Sequence, residues 1–563
     1  MTIEIEFEGE RLAARVGESL AAALTAAGVR GFRTTRDGAE RGVFCGMGVC
    51  QDCLVEVDGR PNQRACMTKV DRPMRVAREA HARPLPPRAE GLPPTTADGL
   101  ALRTPELLVV GAGPAGISAA IAARRAGAEV LVLDERSQAG GQYYKQPAVD
   151  GPGIAAPDAQ HRAGRALIDE AVALGVEILA GATVWGAFAP AEFLASTGGG
   201  TLRLTPRATI VATGAYERGW PVPGWTLPGV MTTGAAQTLW RTARRVPGRR
   251  VLIAGNGPLN LQLAAELIEG GARVVAVVEA APRPGPRATG DLLAMATASP
   301  DLIMDGLRYH ARRRAGGAAM IHGMVVGRVE QANGGLRVTL RAAGGGATGP
   351  AFEVDTLCLG YGFEPSNELT RALGCAHDFD PARRQLAVRR DADGRTSLPG
   401  VFAIGDCTGL GGARAALAEG TIAGLAAAAD LGHAAAAPLA AEGRRARADL
   451  ARHRRFQAAL WRLYAAPPYD TALADRDTLI CRCEEVSLGA IEAALADGLT
   501  AIGAVKRCTR AGMGRCQGRY CAPVLDALLA TRLGRPRDEY SGFAPRVPVK
   551  PIAIEDLART PRP

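Results

Sequence analysis

The chain opens on strict alternation: Ile3, Ile5 and Phe7 share one face, with Glu4 and Glu6 on the other. This period of two predicts a half-buried strand over 3–7, and a second follows over 12–16. An alanine-rich helix starts at Ser19 and leads into a cysteine-bearing loop. Pro84, Pro86, Pro87, Pro93 and Pro94 then read as an extended linker. From Glu106 the pattern changes to continuous apolar runs ending in glycine turns, the mark of strands buried on both faces. That unit occurs twice, at 107–116 and 251–260, which predicts one dinucleotide-binding domain inserted into another. An alanine- and arginine-rich helical connection follows Gly420, then a second cysteine-bearing segment. The tail from Gly542, with Pro545, Pro548 and Pro551, reads as extended. The expected map is an N-terminal domain at 1–83, a linker at 84–100, and a dinucleotide domain at 101–229 and 346–430 around an insert at 230–345. The connection spans 431–475, the C-terminal cysteine domain 476–540 and the tail 541–563.

Length supports this division, since 563 residues exceed what one ordinary core organises. The net charge of +10 comes from arginine spread along the chain, and aromatics are only 4%. A nucleic-acid binder would concentrate its basic residues in a stripe with interleaved aromatics, so no nucleic-acid partner is expected. The N-terminus carries acids where a secretory signal would be basic or apolar. The most apolar helical stretch, 422–441, is mostly alanine and holds Asp430 and His433, too interrupted for a membrane span. A cytoplasmic location is the expectation.

Twelve cysteines in such a chain favour metal or redox use over structural disulfides. Cys45, Cys50, Cys53 and Cys66 are spaced C-x4-C-x2-C-x12-C. Three thiolates on a glycine-bearing loop can wrap a cluster, and a fourth completes two irons. Zinc on four cysteines is the alternative, although its ligand spacing rarely includes this loop. The segment resembles plant-type [2Fe–2S] domains. Cys481, Cys483, Cys516 and Cys521 read C-x-C-x32-C-x4-C and resemble the bacterioferritin-associated ferredoxin type, in which two loops meet at helix N-termini. Arg482, Arg515 and Arg519 would stabilise a negative cluster there, and zinc is the more serious rival at this site. Cys508 is left over and reads as a neighbour of the cluster. No histidine accompanies either group, so Rieske-type ligation is not supported.

In Gly111-Ala-Gly113-Pro114-Ala115-Gly116, Gly111 permits a tight turn after the strand, Gly113 lets backbone approach a pyrophosphate, and Gly116 allows close helix–strand packing. Asp134, followed by Glu135, closes the next strand and is placed to accept ribose hydroxyls. The segments ending in Thr213-Gly214 and Gly405-Asp406, and the loop Gly140-Gly141-Gln142, resemble those of FAD/NAD disulfide-reductase-like flavoproteins. By that resemblance the first dinucleotide domain holds FAD, Asp406 bonds the ribityl chain, and Gly411 and Gly412 face the cofactor. The second motif, Gly255-Asn-Gly257-Pro-Leu-Asn260, has asparagine where the third glycine belongs, so looser helix–strand packing is expected. Glu279 could hold a ribose, leaving NAD or another adenine nucleotide, or an empty structural domain, as open readings. No Cys-x-x-Cys or Cys-x4-Cys pair lies between residues 101 and 430, and Cys407 reads as a small buried residue, so thiol–disulfide chemistry is not expected.

Taken in order, these parts resemble the large subunit of heteromeric flavin dehydrogenases that oxidise opines, proline, hydroxyproline, sarcosine or glycine, the last giving cyanide. The resemblance implies an α/β fold: two nested disulfide-reductase-like domains, an N-terminal β-grasp ferredoxin domain and a small helical C-terminal cluster domain. It implies FAD and two [2Fe–2S] clusters, and leaves room for FMN at a subunit interface. The implied partner is a D-amino-acid-oxidase-like subunit with its own FAD, with room for a further small subunit. The implied electron acceptor is a quinone, cytochrome or ferredoxin. No general base for amine oxidation stands out in the chain. Two other readings stay open: a self-contained NADH-dependent reductase, and a non-catalytic electron-transfer or iron-handling module that would not need so long a dinucleotide fold.

Overall fold

The computed structural model describes residues 1–79, 100–149, 156–434 and 436–558. All the linker prolines from Pro84 to Pro94 lie outside the described residues. The N-terminal strand Thr2–Phe7 pairs antiparallel with Glu10–Arg15 and parallel with Arg75–Arg78. Glu8 and Gly9, both at positive φ, make the tight turn between the first two strands. Leu54–Val57 and Arg60–Arg64 complete this five-stranded sheet. Ser19 Oγ accepts from Ala22 N–H at 3.2 Å and caps the helix Leu20–Ala26, whose alanine face is fully buried. A sheet gripping one short helix is the β-grasp arrangement.

The first dinucleotide unit is a parallel sheet ordered Glu177–Ala180, Val130–Asp134, Leu107–Val110, Ala208–Val211, Val401–Ala403. Leu107–Val110 is buried throughout, as a central parallel strand requires. Helices Pro114–Arg125 and Ala413–Asp430 pack together so tightly that a Cβ on Gly420 or Gly424 would lie 2.3 Å from a carbonyl oxygen of Ala115 or Ala119. The chain leaves this unit and returns to it through a two-stranded ribbon, Ala215–Glu217 against Phe363–Pro365.

Between the ribbon strands lies a second parallel sheet, ordered Val230–Thr232, Thr356–Gly360, Arg250–Gly255, Arg273–Glu279, Ala319–His322. This corrects the expected boundary at 345/346. Thr356–Gly360, assigned on sequence to the outer domain, is the strand next to the centre of the inserted sheet, paired with Val230–Thr232 and Arg250–Gly255. An apolar run such as Leu357-Cys-Leu359 suits either sheet, and only the long-range pairing decides between them.

Helix Ala437–Leu463 packs on Ala413–Asp430 and on Thr289–Ala298 of the insert. The C-terminal unit holds a short ribbon, Leu479–Cys481 against Val486–Ser487, and helices Leu488–Ala496, Ile502–Thr509 and Ala522–Leu533. The tail then runs along the body. Val549 N–H donates to Trp185 O at 2.9 Å, and Lys550 pairs with Glu135 at 2.6 Å. Among the described residues no helix is long and apolar enough to cross a membrane.

Candidate functional site

Gly111 sits at φ +110, and a Cβ there would lie 2.4 Å from the Ala212 carbonyl oxygen. A Cβ on Gly116 would lie 1.8 Å from Gly111 O. Both positions therefore admit only glycine. Gly113 caps helix Pro114–Arg125, with Pro114 in the first turn and Ala115 buried behind it, so free amides of the helix start point outward beside the Gly140-Gly141-Gln142 loop. Asp134 is buried, with Oδ2 on Ala112 N–H at 2.7 Å and Oδ1 on Arg136 N–H at 2.8 Å. Burial raises its carboxyl above the usual range. Burial would do the same to Glu135, but the Lys550 ammonium outweighs it and holds that carboxyl low.

Across the sheet, Thr213 Oγ1 donates to Ser366 O at 2.6 Å, and Gly214 turns at φ +71. Gly405, at φ +69, donates its N–H to Glu419 at 2.9 Å. Asp406 Oδ1 accepts from Gly411 N–H and Gly412 N–H, both at 3.0 Å, at the start of helix Ala413–Asp430. The fold thus brings Gly111 to Gly116, Gly141, Asp134 and Asp406 to the carboxyl ends of one parallel sheet, where such sheets bind ligands. The thiol of Cys407 turns away to Val211 O and Ile404 O, and burial pushes it up to about 11.

Two buried charged groups escaped the sequence reading because nothing in their local pattern marks them. Lys145 donates to Gln142 O and Gln237 Oε1, and burial lowers its ammonium to about 7. Both Glu217 oxygens accept Gly234 N–H at 2.9 Å, and burial raises that carboxyl to about 7. A cleft of about 1050 Å³ lies between the outer unit, the insert and helix Ala437–Leu463, lined by Tyr143, Tyr309, Arg414 and His453 among others. Its buried Arg241 is committed to Asp158 and Glu266 at 3.0 and 2.9 Å.

The second motif turns differently from the first. Here Gly257 carries φ +110, and Gly255 lies against Gly360 O, which a Cβ would approach to 2.0 Å. Glu279 accepts from Gly257 N–H at 3.0 Å, from Ala281 N–H at 2.9 Å and from Asn256 Nδ2 at 2.7 Å. Asn256 Nδ2 also donates to Tyr464 O, so the end of the long helix stands over the motif. Asn260 fills the glycine position with hydrogen bonds: Nδ2 donates to Gly360 O at 3.2 Å, and Oδ1 accepts from Thr233 Oγ1 at 2.9 Å.

The N-terminal cysteine loop turns on Gly46 and Gly48 at positive φ. Met47 and Cys50 amides point at Cys45 Sγ at 3.5 and 3.4 Å, and the Asp52 amide at Cys50 Sγ at 3.5 Å. Amides aimed at sulfur favour thiolate, the ligand form. Cys53 and Cys66 sit side by side. A Cβ on Gly46 would reach within 2.8 Å of Ala235 Cα, so the loop rests on the inserted unit, and Arg136 of the outer unit donates to Gly46 O at 3.4 Å. At the other end, Cys483 Sγ lies 3.9 Å from Cys481 Sγ and 3.7 Å from Cys516 Sγ, and Cys521 caps helix Ala522–Leu533. Cys508 is exposed on helix Ile502–Thr509. Two sulfide-bridged irons require only two thiolates each, and an all-cysteine donor set fits them. Of the arginines expected at this site, Arg519 pairs with Glu368 at 2.9 Å, Arg515 is exposed, and Arg482 turns to Asp52 of the N-terminal loop at 2.8 Å.

Residues 105–428 match the pyridine nucleotide-disulphide oxidoreductase family, residues 1–81 a 2Fe-2S iron-sulfur cluster binding domain, and residues 479–531 a BFD-like [2Fe-2S] binding domain. Fold and site together define an FAD-dependent oxidoreductase with two [2Fe–2S] domains. An opine oxidase subunit of Agrobacterium tumefaciens (strain Ach5) is 33% identical over 470 residues, covering 81% of this chain and 92% of that protein. Hydrogen cyanide synthase subunit HcnB of Pseudomonas aeruginosa is 33% identical over 457 residues, covering 79% of this chain and 96% of HcnB. Subunit HcnA of that organism is 46% identical over 77 residues, covering 14% of this chain and 74% of HcnA. The crystal structure of L-proline dehydrogenase from P. horikoshii shares the fold, with TM-score 0.70 and 20% identity, covering 99% of this chain and 97% of that one. The chain belongs to the pyridine nucleotide-disulphide oxidoreductase family, in the branch that holds HcnB and the opine oxidase subunit.

Proposed function

We propose that this chain is the electron-transferring subunit of a cytoplasmic multisubunit dehydrogenase that oxidises the C–N bond of an amino acid, opine or secondary amine. A D-amino-acid-oxidase-like partner performs the oxidation, and this chain passes the electrons to a quinone, cytochrome or ferredoxin. The observation that supports this most is the seating of the Cys45 loop, which touches both dinucleotide units through Ala235 and Arg136. A two-electron cofactor site and one-electron cluster sites then share one body. FAD bound in the outer unit would exchange electrons in pairs, and the clusters would carry them singly.

The chain's own residues bind and orient. The amides after Gly113 would hold the pyrophosphate, Asp134 the ribose, and Asp406, through the oxygen not taken by Gly411 and Gly412, the ribityl chain. Cys45, Cys50, Cys53 and Cys66 would ligate one cluster, and Cys481, Cys483, Cys516 and Cys521 the other. NAD or another adenine nucleotide in the insert, FMN at a subunit interface and a further small subunit extend the same proposal. The relatives named as subunits of opine oxidase and hydrogen cyanide synthase favour it.

Co-expression with an oxidase-like partner should give a stable complex with amine:dye activity, and no complex or no activity with any such partner would overturn the reading. A second reading, a self-contained NADH-dependent reductase, is favoured by the position of Glu279 beside Gly257. Anaerobic titration of the isolated chain separates the two, since only the second predicts direct bleaching of the flavin by NADH.

A further inference from the structure

The two cysteine sets meet through residues that directly adjoin their thiols. Asp52 stands between Cys50 and Cys53, and Arg482 between Cys481 and Cys483. Arg482 Nε donates to Asp52 Oδ2 at 2.8 Å, with both side chains almost fully buried, and Arg33 holds the other Asp52 oxygen at 2.8 Å. The Arg482 guanidinium lies 3.8 Å from the ring centroid of Phe44, the residue before Cys45. The ring of Tyr520, the residue before Cys521, meets Phe44 edge-on with centroids 5.2 Å apart. Trp225 closes the side, taking Arg482 Nη1 on its carbonyl oxygen at 2.8 Å.

A buried ion pair is a poor source of stability, because desolvation of both charges offsets their attraction. Its retention here fits a positioning role, because it locks two loops that the chain reaches hundreds of residues apart. The Tyr520 hydroxyl is buried and has no hydrogen-bond partner among the described residues. A lone buried hydroxyl costs stability, and phenylalanine would pack equally well without it. It is the ring, not the hydroxyl, that meets Phe44.

We propose that Phe44 and Tyr520, held by the Arg482–Asp52 pair, form a direct electron junction between the two clusters, so that they act as one conduit inside the chain. This rests on the functional reading above only for the presence of both clusters. In the step, one electron leaves the reduced cluster and reduces the other; no bond is made or broken and no proton moves. Tunnelling falls off exponentially with distance, so contact between residues that directly adjoin ligands of each cluster is the short route. Arg482 and Asp52 are positioning residues.

The test is EPR on the dithionite-reduced full-length protein. The junction predicts magnetic interaction between the two signals, seen as splitting or as mutual enhancement of relaxation. After single-electron flash reduction, redistribution between clusters should be unchanged in Tyr520→Phe, several-fold slower in Tyr520→Leu, and slower again in Arg482→Met. Two additive, non-interacting signals, or equal redistribution in Tyr520→Leu with both clusters present, would overturn the proposal. Interacting clusters in a protein that gains no amine activity with any partner would leave the junction standing and remove the functional reading instead.

Discussion

A Cβ placed on Gly141 would lie 2.7 Å from the α-carbon of Gly113, so the two backbones of the nucleotide cradle touch with no room for a methyl between them. Gly141 also turns at φ +61, where an L-side chain is strained by roughly 1–2 kcal/mol. Gly141→Ala should therefore weaken FAD binding by about tenfold or more, read as flavin absorbance per chain after desalting. The N-terminal cluster signal should persist, because Cys45, Cys50, Cys53 and Cys66 all belong to the N-terminal domain, whose loop meets the outer unit at Arg136 and not at Gly141.

Asp406→Ala is expected to purify with much less FAD while keeping that same cluster signal. The carboxylate orders the turn at Gly411 and Gly412, and on the proposed reading its other oxygen binds the ribityl chain. Normal flavin content in this variant would place Asp406 away from the cofactor.

Metal analysis should find about four irons and four acid-labile sulfides per chain, with two distinct [2Fe–2S] signals on reduction. Cys508→Ala should keep both clusters, since that thiol is exposed on its helix, whereas Cys516→Ala should lose one. Iron loss from the Cys508 variant, or stoichiometric zinc in the wild type, would reassign the C-terminal site.

One pH effect is independent of any cofactor. His377 is buried, with ring hydrogen bonds to Cys375 O at 2.7 Å and Thr370 Oγ1 at 3.1 Å, and burial lowers its imidazole to about 4. The folded protein therefore resists a proton that the unfolded chain accepts near pH 6.5. Above that pH there is no penalty; stability is lost as pH falls from 6.5 towards 4, by roughly 2 kcal/mol between pH 7 and 5. The melting temperature of His377→Gln should fall less over this range than that of the wild type, and parallel curves would contradict the assignment.

What could be read from sequence was what neighbours in sequence specify. The spacing of each cysteine set, the glycine turn after Val110 and the acid at Asp134 that closes its strand are local requirements of local geometry. The Arg482–Asp52 contact was not legible, since it spans 430 positions and each residue looks like an ordinary charge between ligands. Thr356–Gly360 was misassigned because an apolar run does not name its sheet. Asn260 looked like a defect in a glycine motif, yet its carboxamide ties Gly360 to Thr233. Lys145 and Glu217 are polar letters at a bend and a ribbon, and their burial is a product of the inserted unit closing on them.

On the proposed reading this chain relays electrons and does not itself attack the amine. Hydride removal from an amine carbon needs an enclosed pocket over the flavin and a group that fixes the substrate carboxylate, usually an arginine. The buried Arg241 of the interdomain cleft is already held by Asp158 and Glu266. Steady-state amine:dye turnover by the isolated, FAD- and iron-replete chain decides between relay and self-sufficient dehydrogenase. A relay turns over no amino acid, opine or N-methylated amine when its partner is absent. Robust turnover of proline, sarcosine or an opine by the isolated chain would refute it.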